Sequence, residues 1–402
     1  MKKVFRFSGL ALLGMAVLGF SATGAAAQSN CEDADGITAA DAKVRDNFGD
    51  IKTRKIAVEA GKEYLEKYGE CEVTKDFVAW LKPQLPKWEQ QVKEYEEYLW
   101  VKPRVDKFDG GIKAGKWDDV YSAGSELVQR YPDRVGFMLP MAIVGLQESY
   151  KNNFKYNEDA IRYAKMAIAK LKDGSAEVKK NPKGEPMLDK TGKEVYGPFQ
   201  FERNKEDALS ELTYALAYIN YHAKKDKKAG LPYYYEVSQM PGLYKEEPRL
   251  YATVGTYFLD ESAPIGKEIV DLIEKQKAAP TDEEKEKLDV DIKAKVALYN
   301  GYLDRSIDAF SRAYKFADDK LAAEKTLKAE VYTTIQNLYE RWKETKDGVD
   351  QWIATTVSKP FPNPTSQVMP IPVVEPVTTT TSATPAATPA NGKGAVATKP
   401  KQ

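Results

Sequence analysis

The strongest constraint on this chain is a helix written twice. Ala57–Glu70, AVEAGKEYLEKYGE, and Trp117–Asp133, WDDVYSAGSELVQRYPD, superpose at an offset of 63 residues. Ala60-Gly61 falls on Ala123-Gly124, Glu63 on Glu126, Tyr64-Leu65 on Leu127-Val128, and Lys67-Tyr68 on Arg130-Tyr131. Both copies read as amphipathic helices with a small residue in the middle and a tyrosine near the end. A repeated helix of this kind is the unit of an array in which each unit buries its apolar face only by stacking on a neighbour. The expected fold class is therefore all-α, built from antiparallel helix pairs.

The ends of the chain read differently from its middle. Lys2-Lys3 and Arg6 precede an apolar run, Gly9–Phe20, and Ala25-Ala26-Ala27 offers a small-x-small cleavage site before Gln28. Residues 1–27 thus read as a secretory signal peptide. A membrane anchor is the competing reading, but the apolar run of 12 residues falls short of the ~20 needed to span a bilayer. No later stretch is apolar enough to cross one. The expectation is export by the general secretory route to a periplasmic or extracellular location. From Pro360 onward Pro, Thr, Ala and Val dominate, and residues 360–402 read as a disordered tail.

Export makes the cysteines informative. Cys31 and Cys71 are the only two, and an oxidising destination predicts a disulfide between them; two free buried thiols are the alternative. The 60 basic and 60 acidic residues cancel, and loss of Lys2, Lys3 and Arg6 leaves a slight acidic excess. No nucleic-acid surface is expected. A single histidine, His222, leaves no histidine-rich metal site, and Asp33–Gly36 lacks the first acidic ligand and the closing glutamate of a calcium loop. No metal and no cofactor are expected.

Between residues 28 and 359 the chain reads as helices. Ile37–Phe48 with Thr38 as N-cap, Ile51–Tyr68 and Val73–Lys82 come first. A helix from Pro86 carries Trp88, Val92, Tyr95 and Leu99 on one face, and Pro103 restarts the chain as Val105–Ala114. Residues 172–201 interrupt the pattern as an insertion rich in Lys, Gly and Pro, with Asp189-Lys190-Thr191-Gly192 as a hairpin turn. Asn204–Ala223 pairs with Gly230–Met240, and Pro248–Leu259 with Ile265–Lys277. Asp282–Tyr302, Asp304–Phe316 and a capping helix, Lys320–Thr345, follow, and Trp352-Ile353 folds back onto that cap.

In Val120, Gly124, Leu127 and Pro132 the helix–turn–helix–proline spacing resembles the tetratricopeptide repeat (TPR). Ala160, Ala164 and Ala167 meet its first part, as do Ala229 and Tyr233 before Pro241, Ser306 with Phe310 and Ala313, and Ala57 with Gly61 and Tyr64. The resemblance covers most of residues 38–346. It lies in the second helix of each pair, while the first helices lack the family's Trp-x-x-Leu-Gly signature. It implies a right-handed TPR-like solenoid whose first helices line a concave groove.

No phosphate loop, zinc motif or nucleophile elbow is present, so no catalytic residue is nominated and the protein is not expected to be an enzyme. The family's register implies that Tyr214, Tyr218, Tyr221 and His222 face the groove as an aromatic strip with hydroxyl tips. Asp109, Lys113, Ser149, Asn152, Asp291 and Lys295 are the corresponding positions elsewhere. The alternative is that the tyrosines pack against the next helix. The function expected is a non-catalytic scaffold for protein or peptide partners of the cell envelope, with a glycan as the alternative partner.

Overall fold

The structure is a computed structural model that describes residues 31–372. The signal-peptide reading of residues 1–27 and most of the tail reading lie outside the described residues. Those residues form thirteen α-helices and two short strands, the all-α architecture that the repeated helix requires. The chain divides into two compact units, with the boundary at Pro140. No helix among the described residues is long and apolar enough to cross a membrane.

The first unit opens on α1, Ala34–Phe48, which is capped by Asp33: its carboxylate accepts the Gly36 N–H at 2.8 Å. The Asp-Ala-Asp-Gly stretch is thus a helix start, three residues ahead of the expected one. An aspartate side chain reaches the free N–H groups of a first turn, whereas Thr38 donates its hydroxyl to Ala34 O inside the helix. α2, Arg54–Tyr68, packs on α1. Cys31 and Cys71 are disulfide-bonded, as the compartment argument expects. α3, Lys75–Leu81, closes a core of Val44, Ala57, Tyr64, Phe77, Leu81 and Trp88. A Cβ on Gly61 would meet Leu85 at 2.8 Å, so the small residue of the repeat is there to admit a neighbouring side chain.

α4 runs unbroken over Leu85–Ala114, with Pro103 inside it. The expected restart at Pro103 does not occur. A proline removes one rung of the hydrogen-bond ladder, about 3 kcal/mol in an isolated helix, and the buried residues toward the two ends of α4, Leu85 and Trp88 at one and Phe108 and Ile112 at the other, anchor the helix across it. α4 ends at Gly115 in the left-handed conformation, φ 65°, and α5, Trp117–Arg130, returns along it. A Cβ at Gly111 would meet Val120 at 3.0 Å and Lys116 O at 3.1 Å. α6, Val135–Tyr150, follows.

The second unit contains α7, Asn157–Asp173; α8, Lys205–Tyr218, extended by a π turn over Ile219–Ala223; and α9, Lys227–Gln239. Then come α10, Pro248–Ala278; α11, Asp282–Phe316; α12, Ala322–Lys343; and α13, Val349–Val357. Sequence neighbours pack on one another: α7 with α8, α8 with α9, α10 with α11, and α11 with α12. α10 and α11 were each expected as two helices. Pro264 lies inside α10; in α11 Leu303 and Ile307, at the expected break, are fully buried, so tertiary packing carries that helix through. Trp352 of α13 packs edge-on to Trp342 at 4.9 Å, the fold-back expected of it.

The insertion at 172–201 forms a small ladder. Met187 N–H donates to Lys179 O and Val195 N–H to Met187 O. Strand β1, Val195–Tyr196, pairs antiparallel with β2, Arg203–Asn204. Asp189 makes the turn as read, accepting the N–H groups of Thr191 and Lys193 and the Thr191 hydroxyl.

Packing does not stop at Pro360. Phe361, Pro364 and Val368 are buried, Ile371 N–H donates to Ala297 O at 2.7 Å, and Arg305 reaches Ser366 Oγ at 2.9 Å. Residues 361–371 form a strap over α10 and α11, so the ordered part extends past the expected boundary at 359. A Cβ at Gly301 would stand 2.2 Å from Met369 O, so only glycine lets the strap lie this close to α11.

Candidate functional site

α8 starts at Asn204, whose side chain caps it by accepting the Asp207 N–H at 3.0 Å. From that start Tyr214 and Tyr218 fall one turn apart, and the π turn carries Tyr221 and His222 round to the same side. The structure brings all four together. They line one cavity of about 700 Å³ with Tyr150, Tyr244, Glu247, Arg249, Ala252, Thr253, Thr256 and Leu327. That volume lies within the ~300–1,000 Å³ usual for ligand pockets.

The rings form a column. Tyr244 stacks on Tyr214 at 4.3 Å and 19°, Tyr214 lies 6.4 Å from Tyr218 at 28°, and Tyr218 meets the His222 ring at 4.6 Å. Tyr150, the last residue of α6, stands edge-on to Tyr218 at 4.5 Å. Tyr234 stands behind, edge-on to Tyr214 and Tyr221. Tyr214 and Tyr221 are therefore both wall and core, 3% and 7% exposed. The groove reading and the packing reading of the tyrosines meet in the same side chains.

The other wall comes from the 240–247 loop and the first turns of α10. Gly242, at φ 126°, lets the loop touch α8: a Cβ there would meet Ser210 Cβ at 2.6 Å. Ser210 Oγ then accepts the Tyr244 N–H at 3.0 Å, and Tyr251 Oη donates to Lys245 O at 2.7 Å. These bonds hold Tyr244 flat on Tyr214. Glu247 caps α10, its Oε1 accepting the Arg249 N–H at 3.2 Å.

Burial dominates the electrostatics. It pushes the phenols of Tyr150, Tyr214, Tyr221 and Tyr244 far above their ordinary range, and the charge of Glu247 adds to the shift at Tyr150, Tyr214 and Tyr244. Tyr150 is 46% exposed and reaches the cavity from the end of α6. Burial raises the Glu247 carboxyl too, with Glu324 contributing. His222 is lowered by burial and by Lys227, so it is neutral at neutral pH. Its Nε2 lies 3.4 Å from Thr253 Oγ1, and among the described residues no carboxylate holds the imidazole.

The remaining register positions do not join this cavity. Ser149 is buried, donating to Gly145 O at 2.8 Å and lying 2.6 Å from Asn157 Oδ1. Lys295 pairs with Glu268. Asp109 belongs to the first unit, where burial raises its carboxyl. Sequence reasoning missed Tyr150, Tyr244, Glu247, Arg249, Thr253 and Thr256. The Pro241-Gly242 turn before Tyr244 and the Glu247-Pro248 helix start were the available signals. Among the described residues no group of His, Cys, Asp and Glu could hold a metal ion.

No protein-family model matches the chain, and no curated protein and no solved structure matches it.

Proposed function

We propose that this is a non-catalytic binding protein of the extracytoplasmic space, a divergent TPR-like helical array of right-handed hand that holds a segment of a peptide or protein partner in the tyrosine cavity. The observation that carries the reading is the cavity itself: five tyrosines, two threonines, a histidine and one pair of opposite charges around about 700 Å³. Rigid aromatic walls with polar tips give a large contact area at low entropic cost. The His222–Thr253 contact has the form of a base and a hydroxyl, but it is long, and among the described residues no carboxylate holds the imidazole, which supports binding over catalysis. The disulfide and the signal-like N-terminus support export.

The test is selection of a random peptide library on the full chain, with a pocket-filled Thr256→Trp variant as the counter-selection. Thr256 is exposed at the cavity mouth, so the variant keeps the core. Sequences enriched on the wild type and lost on the variant support the reading; enrichment that ignores the variant removes the cavity from it. A glycan is the second reading, favoured by the density of hydroxyls in the lining. Sugar-dependent quenching of tyrosine fluorescence that Thr256→Trp abolishes, with no peptide selected, would establish it instead.

A further inference from the structure

The cavity holds one carboxylate that the fold leaves half used. Oε1 of Glu247 accepts the Arg249 N–H, and the Arg249 guanidinium stands 3.6 Å from that same oxygen with its side chain 56% exposed. Oε2 has no hydrogen-bond partner among the described residues. The Glu247 side chain is 20% exposed. A buried glutamate of α8, Glu211, is satisfied by contrast: Arg203 Nε donates to it at 2.7 Å. Arg249 meets only one oxygen of this part-desolvated carboxylate, so a cation arriving at the other complements its remaining charge.

From this placement we propose that the tyrosine cavity is a socket for a lysine side chain of the partner, with the ammonium on Glu247 Oε2 and the phenol oxygens of Tyr150, Tyr214 and Tyr244, and the aliphatic stem along the ring column, Ala252 and Leu327. The proposal rests on the peptide reading of the site and names its ligand chemistry. Four features select this group. Tyr150, Tyr214, Tyr244 and Glu247 line the same cavity. An ammonium carries three donors, and Glu247 Oε2 with those three phenols offers acceptors for all of them within it. An arginine fork needs both carboxylate oxygens for its paired bonds, and here Oε1 already caps α10. A quaternary ammonium needs open ring faces, and Tyr244 covers one face of Tyr214 at 4.3 Å. The remaining apolar wall suits the stem that lysine buries when its head is held.

The test is calorimetric titration of the full chain with four end-blocked heptapeptides of Gly and Ser that differ only at the centre: lysine, Nε-acetyl-lysine, arginine or norleucine. An N-acetylglucosamine oligomer is the fifth probe. Wild type, Glu247→Gln and Thr256→Trp are compared; glutamine keeps a carbonyl for the α10 cap, so the second chain stays folded. The lysine peptide is expected to bind wild type at least tenfold more tightly than the acetyl-lysine, arginine and norleucine peptides. Glu247→Gln is expected to erase that preference, and Thr256→Trp to erase binding. Equal binding of the acetyl-lysine or norleucine peptide overturns the lysine socket and leaves the peptide site standing. Binding of the glycan alone overturns both. Failure of every probe on the wild type overturns the lysine socket, and library selection then decides the site separately.

Discussion

Glu247 is held in the folded chain at an electrostatic disadvantage. Burial raises its carboxyl above the unfolded value, so between those two values the folded state binds more protons than the unfolded one. Stability therefore falls as pH rises through that window. The same sign holds for Glu211, Asp304 and Asp308, all raised chiefly by burial. Thermal unfolding at a series of pH values checks this: Glu247→Gln is expected to raise Tm at about pH 7 and leave it unchanged near pH 3, where the carboxyl is protonated in both states. A fall in Tm at neutral pH would show Glu247 to be a structural ion-pair partner of Arg249. Tyr214→Ala, in contrast, empties a buried ring position and is expected to cost about 3–5 kcal/mol, measured by denaturant unfolding. It is therefore a poor probe of binding, whereas Thr256→Trp is a clean one. The spacing of Tyr214, Tyr218 and Tyr221 was legible because one helix carries them. Glu247 and Tyr244 were not, because only the tertiary contact of Gly242 with Ser210 brings their loop to α8.

At the scale of elements, proline misled and glycine informed. Pro103 and Pro264 lie inside α4 and α10, because the sequence shows the lost rung and not the buried turns elsewhere in each helix that anchor it. Gly301 has the opposite character: nothing in its local pattern marks it, yet it is the point where the strap crosses α11. The strap was illegible because composition averages over residues 360–402, while its apolar anchors are only Phe361, Pro364 and Val368. Phe361 stacks edge-on to Tyr251 at 5.1 Å, with the Arg312 guanidinium over its ring. Gly301→Val is expected to displace residues 366–371 and to cost about 1–3 kcal/mol. Limited proteolysis would show new cleavage within 361–371 in the variant and none in the wild type. Unchanged protection there would mean the strap is held by Phe361 and Arg305 alone.

For the molecule as a whole, the two units make separable claims. The Cys31–Cys71 bond closes a loop of 40 residues in the first unit, and the tyrosine cavity lies wholly in the second. On the loop-entropy account the bond stabilises by about 4 kcal/mol. Reduction is expected to speed hydrogen exchange across residues 34–130 and to leave peptide binding unchanged. Loss of binding on reduction would contradict this separation. The all-α class was legible from the repeated helix, since Ala60-Gly61 and Ala123-Gly124 are both buried at helix contacts.

Hydrogen exchange of the full chain, read by mass spectrometry with and without a saturating peptide from the library selection, decides whether the tyrosine cavity is the binding site. Slowed exchange at residues 210–223 and 244–256, with residues 34–130 unchanged, is expected. Slowed exchange confined to the first unit, such as along the open cleft of Glu97, Val101, Tyr131 and Arg134, would contradict it and place the binding site elsewhere.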